Sequence, residues 1–349
     1  MTALHSARAA RPTQPLPPGG RAREGAVNEA HKRHQDGAAV LMALFVASLA
    51  TIIVSGLFWN QFVLLRTIEN QQLVTQSRLL LRGALDWARA ILREDQRTTR
   101  VDTLAEPWAQ GLAETRLDQL GETSALAARA TMAGGIEDAQ GRFNLRNLVR
   151  SDFEIDEFER NSLRKLCSLL QLPEQIADIL AQRMRESLRP RSLPAGATAS
   201  PAAAQDEAPP PIPLLLPQDL LGVAGIDPAH AVELAKHVVI LDAVTPVNLN
   251  TAGPAVFAAR FTRMQLTDAL RLVGERDQRG QHFVQVGEAR LQQHVVNGEP
   301  REGRVSIDSR YFLVSGTVRL ERASTRMEAL VRRGDSNQAP VRVIWQREL

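Results

Sequence analysis

The chain has 349 residues and a net charge of +3, all of it carried by the first 37, where Arg8, Arg11, Arg21, Arg23, Lys32 and Arg33 face Glu24, Glu29 and Asp36; the remainder holds 36 residues of each sign. A neutral body carries no electrostatic footprint for nucleic acid, and the single cysteine, Cys167, excludes an intramolecular disulfide. Beyond the leader and the apolar run that follows it, roughly 280 residues remain, enough for one large or two modest domains.

Residues 1–37 read as a basic leader whose front, with Pro12, Pro15, Pro17, Pro18, Gly19 and Gly20, is expected to be disordered. From Ala38 no charge occurs until Arg66. Residues 38–59, at 1.5 Å rise per residue, span a hydrocarbon core of roughly 30 Å. Lys32 and Arg33 at the near end predict a cytoplasmic N-terminus, with everything after Arg66 on the far side. A signal-peptidase cut after Ser48-Leu49-Ala50 is the competing reading, but the apolar stretch would then continue past the cut without purpose.

The helix is expected to continue to about Arg97, with Val74, Leu81, Leu85, Ala88 and Leu92 on one face and Gly83 its only weak point. Pro107 ends it. Further on, Asp138-Ala139-Gln140-Gly141 reads as a tight turn between strands, giving a β-hairpin with residues 142–145. Residues 152–187 take the helical period through Phe153, Ile155, Phe158, Leu163, Leu166, Leu169, Leu170, Ile176, Ile179 and Leu180. The acids Asp152, Glu154, Asp156, Glu157 and Glu159 fit a charged first turn favoured by the helix dipole. Within this region Cys167 reads as a buried apolar filler rather than a reactive thiol.

Residues 190–217 are a Pro/Ala-rich linker. A second helical region covers 218–293, broken by Gly222, Gly225, Pro228, Gly253 and Pro254. Alternation then returns at Phe312, Val314, Val318 and Leu320, through Met327 to Val331, and at Val341, Val343 and Trp345. Strands on both sides of a helical block imply an α+β fold: a long N-terminal helix on an antiparallel sheet, residues 60–151 and 304–349, interrupted by a large inserted all-α domain, residues 152–303. No catalytic constellation stands out. His230 and His237 lack a third ligand or a neighbouring nucleophile, and Gly222 to Gly225 lacks the third glycine and the strand of a dinucleotide fingerprint. A non-enzyme is expected.

Gly37-Ala38 has the form cut by prepilin peptidase: a charged leader, a terminal glycine and an apolar helix that is kept. Together with residues 82–88, 104–109, 136–145 (containing Asn144) and 246–252 (containing Asn248, Asn250 and Thr251), it makes the chain resemble the K-type minor pseudopilins of the general (type II) secretion pathway. The resemblance implies a single-pass inner-membrane protein with a periplasmic C-terminal domain and a methylated mature N-terminus at Ala38. It also implies a place at the tip of the periplasmic pseudopilus, helping to start its assembly and the export of folded exoproteins. The partners it implies are other minor pseudopilins in a tip complex, the major pseudopilin, the inner-membrane secretion platform, prepilin peptidase and membrane lipid, with no nucleic acid.

Most pilin-like subunits carry glutamate at the fifth mature position, where it meets a neighbour's amino terminus; here that position is Met42. An apolar residue cannot offset an ammonium, which is the basis for the tip expectation. Relatives of this type can bind calcium through acids of the helical domain, but residues 181–189 here are basic, so no ligand and no cofactor is assigned.

Residues 246–252 also look like the opening of a helix-hairpin-helix DNA-binding module, in which Asn248 and Asn250 bond backbone and Thr251 caps the next helix. Arg276, Gly280, Phe283 and Glu288 continue that likeness. The glycine-rich hairpin that would bind phosphate is replaced by Phe261-Thr262-Arg263-Met264-Gln265. The alternatives are therefore a minor pilin of a type IV pilus and a membrane-tethered helix-hairpin-helix DNA-binding protein.

Overall fold

A computed structural model describes residues 27–121, 124, 126–189, 211–278, 281–300, 303–334, 336 and 339–349, with side chains from Gly37 onward. The front of the leader and residues 190–210 of the linker lie outside the described residues, as does Gly280. The helices are α1 (Val27–Thr98), α2 (Glu157–Leu169), α3 (Gln175–Leu188), α4 (Pro228–Ala235), α5 (Pro254–Arg260), α6 (Leu266–Arg276) and α7 (Ala289–Gln292). The strands are β1 (Leu112–Arg116), β2 (Ala130–Asp138), β3 (Phe143–Asn144), β4 (Val238–Val239), β5 (Val247–Asn248), β6 (Val305–Ser306), β7 (Tyr311–Leu320), β8 (Ala323–Arg332) and β9 (Arg342–Glu348). The chain divides into two units, Met1–Glu69 and Asn70–Leu349.

In the first unit α1 exposes its apolar side chains all round, from Val40 to Leu65. That pattern suits lipid. Two of its hydroxyls are satisfied within the helix, Ser48 donating to the Phe45 carbonyl at 2.8 Å and Thr51 to that of Ala47 at 2.8 Å, so neither demands water. Trp59 and Phe62 lie 6.4 Å apart, and the Arg66 guanidinium sits 5.2 Å over the Phe62 ring, a group suited to a membrane–water boundary. The long apolar helix fits a single-pass membrane anchor.

In the second unit α1 buries Leu81, Leu85, Ala88 and Leu92, as the helical period requires, while Val74 is only half-buried. They pack on an antiparallel sheet of order β1-β2-β7-β8-β9 through Ile136, Phe312, Val314, Val318, Met327, Ala329 and Val331. Trp108 closes this core edge-on to Phe312, ring centroids 5.2 Å apart. Gly134 has no alternative: a Cβ there would stand 2.5 Å from the Ser315 carbonyl oxygen. Gly83 is the opposite case, since a Cβ would meet nothing within 4 Å, and glycine inside a helix costs about 1 kcal/mol relative to alanine.

The expected hairpin at 136–145 does not form. Asp138 ends β2 and its carboxylate captures the Gln140 amide at 2.7 Å, turning the chain so that β3 pairs in parallel with β4 instead of folding back. Phe143, Leu145, Leu148 and Val149 are thereby buried in the insert's own core, with Leu163, Leu166, Phe257 and Leu272. That core begins upstream of Asp152, and it contains two short parallel pairings, β3 with β4 and β5 with β6, so the insert is mostly but not wholly helical. It leaves the sheet after Asp138 and rejoins it at Tyr311, the first residue of β7, next to Phe312, which pairs with Asp138 across β2 and β7.

The acidic first turn of α2 is also more than a dipole effect. Asp156 caps it, accepting from the Glu159 amide at 3.1 Å, but Glu159 is buried and bound in a two-pronged pair to Arg260 at 2.7 and 2.9 Å, with Arg304 at 2.9 Å. Burial suits Cys167 as a filler and pushes its thiol up to about 12, leaving it unreactive.

Candidate functional site

Where the insert meets the end of the sheet, a buried polar network joins segments distant in sequence. Asp138, last in β2, pairs with no cation among the described residues; one carboxylate oxygen accepts from Asn248 Nδ2 at 3.0 Å, Thr251 Oγ1 at 2.5 Å and Ser309 Oγ at 2.6 Å. Burial pushes this carboxyl up, and those hydrogen bonds pull it back down. Asn248 also reaches the Asp102 carbonyl at 3.2 Å, and its own oxygen takes the Asn250 amide at 2.9 Å. One carboxamide thus ties the insert to both β2 and the loop after α1.

Beside it lies a buried ionic bridge. Arg333, just past β8, donates to Asp102 at 2.6 Å and to Asp95 of α1, and stacks over Phe312 at 4.4 Å. Asp102 further accepts the Ser309 amide at 2.7 Å. Burial outweighs Arg333 and pushes Asp102 up to about 7, and raises Asp95 for the same reason.

The expected motif residues fall on this seam and behind it. Asn144 donates to the Ala243 carbonyl at 2.8 Å and accepts the Arg146 and Leu241 amides at 3.0 and 3.2 Å. Asn250 exchanges two bonds with the Phe283 backbone, 2.9 and 2.8 Å, as a strand would. Thr251 does not cap α5, whose cap is Gly253; its hydroxyl is drawn to Asp138 instead. Arg276 fixes the same loop by donating to the Leu249 and Ala252 carbonyls at 2.9 and 2.7 Å. Gly37, Ala38 and Met42 lie elsewhere, all exposed on α1 in the first unit.

Sequence reasoning missed Asp102, Asp138, Gln140, Asn147, Ser309 and Arg333. Gln140 accepts the Arg310 amide at 2.7 Å and donates to the Pro246 carbonyl at 3.1 Å, while Asn147 exchanges bonds of 2.7 and 3.1 Å with the Thr245 backbone. The one available signal was the resemblance itself, whose segment 136–145 includes Asp138 and Gln140. An apolar contact completes the joint: Val239 and Leu241 of the insert pack against Tyr311, Leu313 and Leu330 on the sheet face opposite α1.

Three carboxylates, Asp95, Asp102 and Glu106, have oxygens within 4.8 Å of one another. They do not fit calcium, which needs six to eight oxygens. Arg333 already occupies Asp95 and Asp102, and Glu106 accepts the Thr103 amide at 2.8 Å and the Trp108 indole at 2.9 Å. The hairpin between α5 and α6 likewise departs from a phosphate site: the carbonyls of Phe261, Thr262 and Met264 converge on the Lys165 ammonium at 2.5, 3.1 and 2.6 Å, so an anion would meet oxygens there. His230 and His237 are half-buried rather than solvated, and among the described residues no histidine bonds into the seam. The hydroxyls of Ser309 and Thr251 are spent on Asp138. Chemically the arrangement does one thing, which is to lock the insert onto the sheet.

A family model described as "Type II secretion system (T2SS), protein K" matches residues 141–243. The chain is similar to the Type II secretion system protein K of Pseudomonas aeruginosa, with 29% identity over 330 residues, 89% of this chain and 92% of that protein. Its fold matches a chain in the crystal structure of the GspK-GspI-GspJ complex from the enterotoxigenic Escherichia coli Type 2 Secretion System, with a TM-score of 0.61, 20% identity, and coverage of 80% of this chain and 98% of that one.

Proposed function

We propose that the chain is a K-type minor pseudopilin of the type II secretion system and that it stands at the tip of the periplasmic pseudopilus, where it helps to start assembly and export; the family match over residues 141–243 and the likeness to the Pseudomonas aeruginosa protein support this reading. The observation that carries this is the locked insert. A bulky head fixed to the sheet by buried polar bonds cannot swing aside to let another subunit stack on it, whereas a terminal subunit has nothing above it. Met42 supports the same place: it offers no charge to a neighbouring amino terminus.

In this reading Gly37-Ala38 is the processing site and residues 38–59 anchor the mature chain in the inner membrane, with the second unit in the periplasm. The similar Escherichia coli chain comes from the GspK-GspI-GspJ complex of the Type 2 Secretion System, and by that likeness this chain joins two other minor pseudopilins. The major pseudopilin, the secretion platform, prepilin peptidase and lipid complete its contacts. It works by binding and packing, without a catalytic step. Native mass measurement of the mature chain with the two other minor pseudopilins tests the proposal: one copy per complex is expected. A homopolymer, or several copies labelled along the filament, overturns it.

A further inference from the structure

Lys165 of α2 differs from the cations around it in what it binds. Arg160, Arg164 and Arg304 face carboxylates, those of Glu157, Asp178 and Asp156. The Lys165 ammonium pairs with no carboxylate among the described residues. It donates to the carbonyls of Phe261, Thr262 and Met264 at 2.5, 3.1 and 2.6 Å, spending all three of its N–H bonds on the turn between α5 and α6. Burial pushes this ammonium below the ordinary lysine range, so the carbonyl oxygens stand in for the water it gives up.

Those carbonyls do not owe their positions to the lysine. Phe261 and Met264 are buried in the insert's core, and the Phe261 ring lies 5.7 Å from that of Phe257. The Phe261 amide donates to the Ala258 carbonyl at 3.2 Å, the Met264 amide to that of Phe261 at 3.2 Å, and the Gln265 amide to Asp268 at 3.1 Å. Only Thr262 and Arg263, at the tip of the turn, are exposed. A turn pinned from the core side keeps its carbonyl dipoles converging on one point whether or not a side chain reaches it. Lys165 is half-buried, so that point lies within reach of solvent. Three neutral oxygens without a carboxylate are a poor set for calcium or magnesium. They suit a compact, singly charged ion, for which carbonyl oxygens replace part of the hydration shell.

We propose that the α5–α6 turn is a receptor for a small singly charged cation, with Lys165 as a ligand supplied by the chain itself, in the place that a free alkylammonium or potassium ion takes when that side chain is cut back. Tethering the ligand makes its occupancy independent of the ions outside the protein. It also completes a grip on the end of α5. Glu159, earlier on α2, binds Arg260, the last residue of α5, so α2 offers a carboxylate to that guanidinium and an ammonium to the carbonyls that follow it.

Thermal unfolding of the full chain in detergent, followed by circular dichroism at equal ionic strength in methylammonium, potassium and tetramethylammonium chloride, tests this. Tetramethylammonium is too bulky to meet three carbonyls at once. Relative to the parent in each salt, Lys165→Ala is expected to melt about 5 °C lower in tetramethylammonium chloride. It is expected to regain about half of that loss in ~0.5 M methylammonium or potassium chloride, as a dissociation constant on the order of 0.1 M would give. Lys165→Met, whose thioether fills the space before the carbonyls, is expected to lose as much and to regain nothing. Recovery by either small cation that is confined to Lys165→Ala supports the receptor. A deficit of the same size in all three salts, recovery shared by Lys165→Met, or a Lys165→Ala chain that stays unfolded throughout overturns it.

Discussion

Asp138 satisfies three side-chain donors with one oxygen, so removal of any of them leaves a buried anion short of a partner. Asn248→Ala is expected to cost about 1–3 kcal/mol, read from urea unfolding of the chain without its anchor. An unchanged midpoint would mean that water replaces the amide and the seam is looser than drawn. Asp102 gives a second test, through pH. Its carboxyl is raised from 3.8 to about 7 on folding, so between those values the folded state holds a proton that the unfolded state releases. Its contribution to stability is therefore full at low pH and lost as pH rises through about 7. Asp95 and Asp138 are shifted in the same direction. Melting temperature should fall from pH 5 toward pH 8, and Asp102→Asn should flatten that slope; a parent slope of opposite sign rules the account out. None of this network was legible in the sequence beyond Asn248 and Thr251. Polar partners separated by 231 positions, as Asp102 and Arg333 are, carry no period and no local spacing.

At the scale of elements, legibility followed periodicity. The apolar faces of α1 and of β7 and β8 repeat at 3.6 and 2 residues, and their boundaries lie close to those expected. β3 and β4 are two residues each and find one another across 95 positions, so no alternation announces them, and Asp138-Ala139-Gln140-Gly141 passes for a hairpin turn. The packing of α1 is testable: Leu85→Ala should destabilise by about 2–5 kcal/mol, as for other buried leucines. An unaltered melting temperature would show that this face of α1 is not the one covered. The hairpin between α5 and α6 makes a different prediction. Lys165→Met removes an ammonium from three carbonyls and should lower stability by about 1.5–3 kcal/mol. The variant should gain no DNA retention at low salt; salt-sensitive DNA binding by the parent would instead support the helix-hairpin-helix alternative. At the other end of the chain, N-terminal sequencing should begin at Ala38, and a bulky residue in place of Gly37 should leave the leader attached. A product beginning at Thr51 would sink both the cut and the retained anchor.

For the molecule as a whole, the insert departs and returns beside a matched pair, Asp138 opposite Phe312. The sheet therefore keeps its register whatever fills the gap. Replacing residues 139–311 with a two-residue Asn-Gly turn, a combination suited to an antiparallel hairpin, should leave a folded helix-and-sheet unit that no longer blocks stacking. Circular dichroism and limited proteolysis would check the fold; collapse of the remainder would show that the seam supports the sheet as well as the insert. The same geometry has a mechanical meaning. A head joined only through one pair of adjacent strands would be a pendant on a single hinge, free to twist. The bonds from Asn248, Thr251, Ser309 and Arg333, with Val239 and Leu241 braced on the opposite sheet face, are a second bearing away from that hinge. Two bearings resist torque where one cannot, so load applied to the head reaches the sheet as compression.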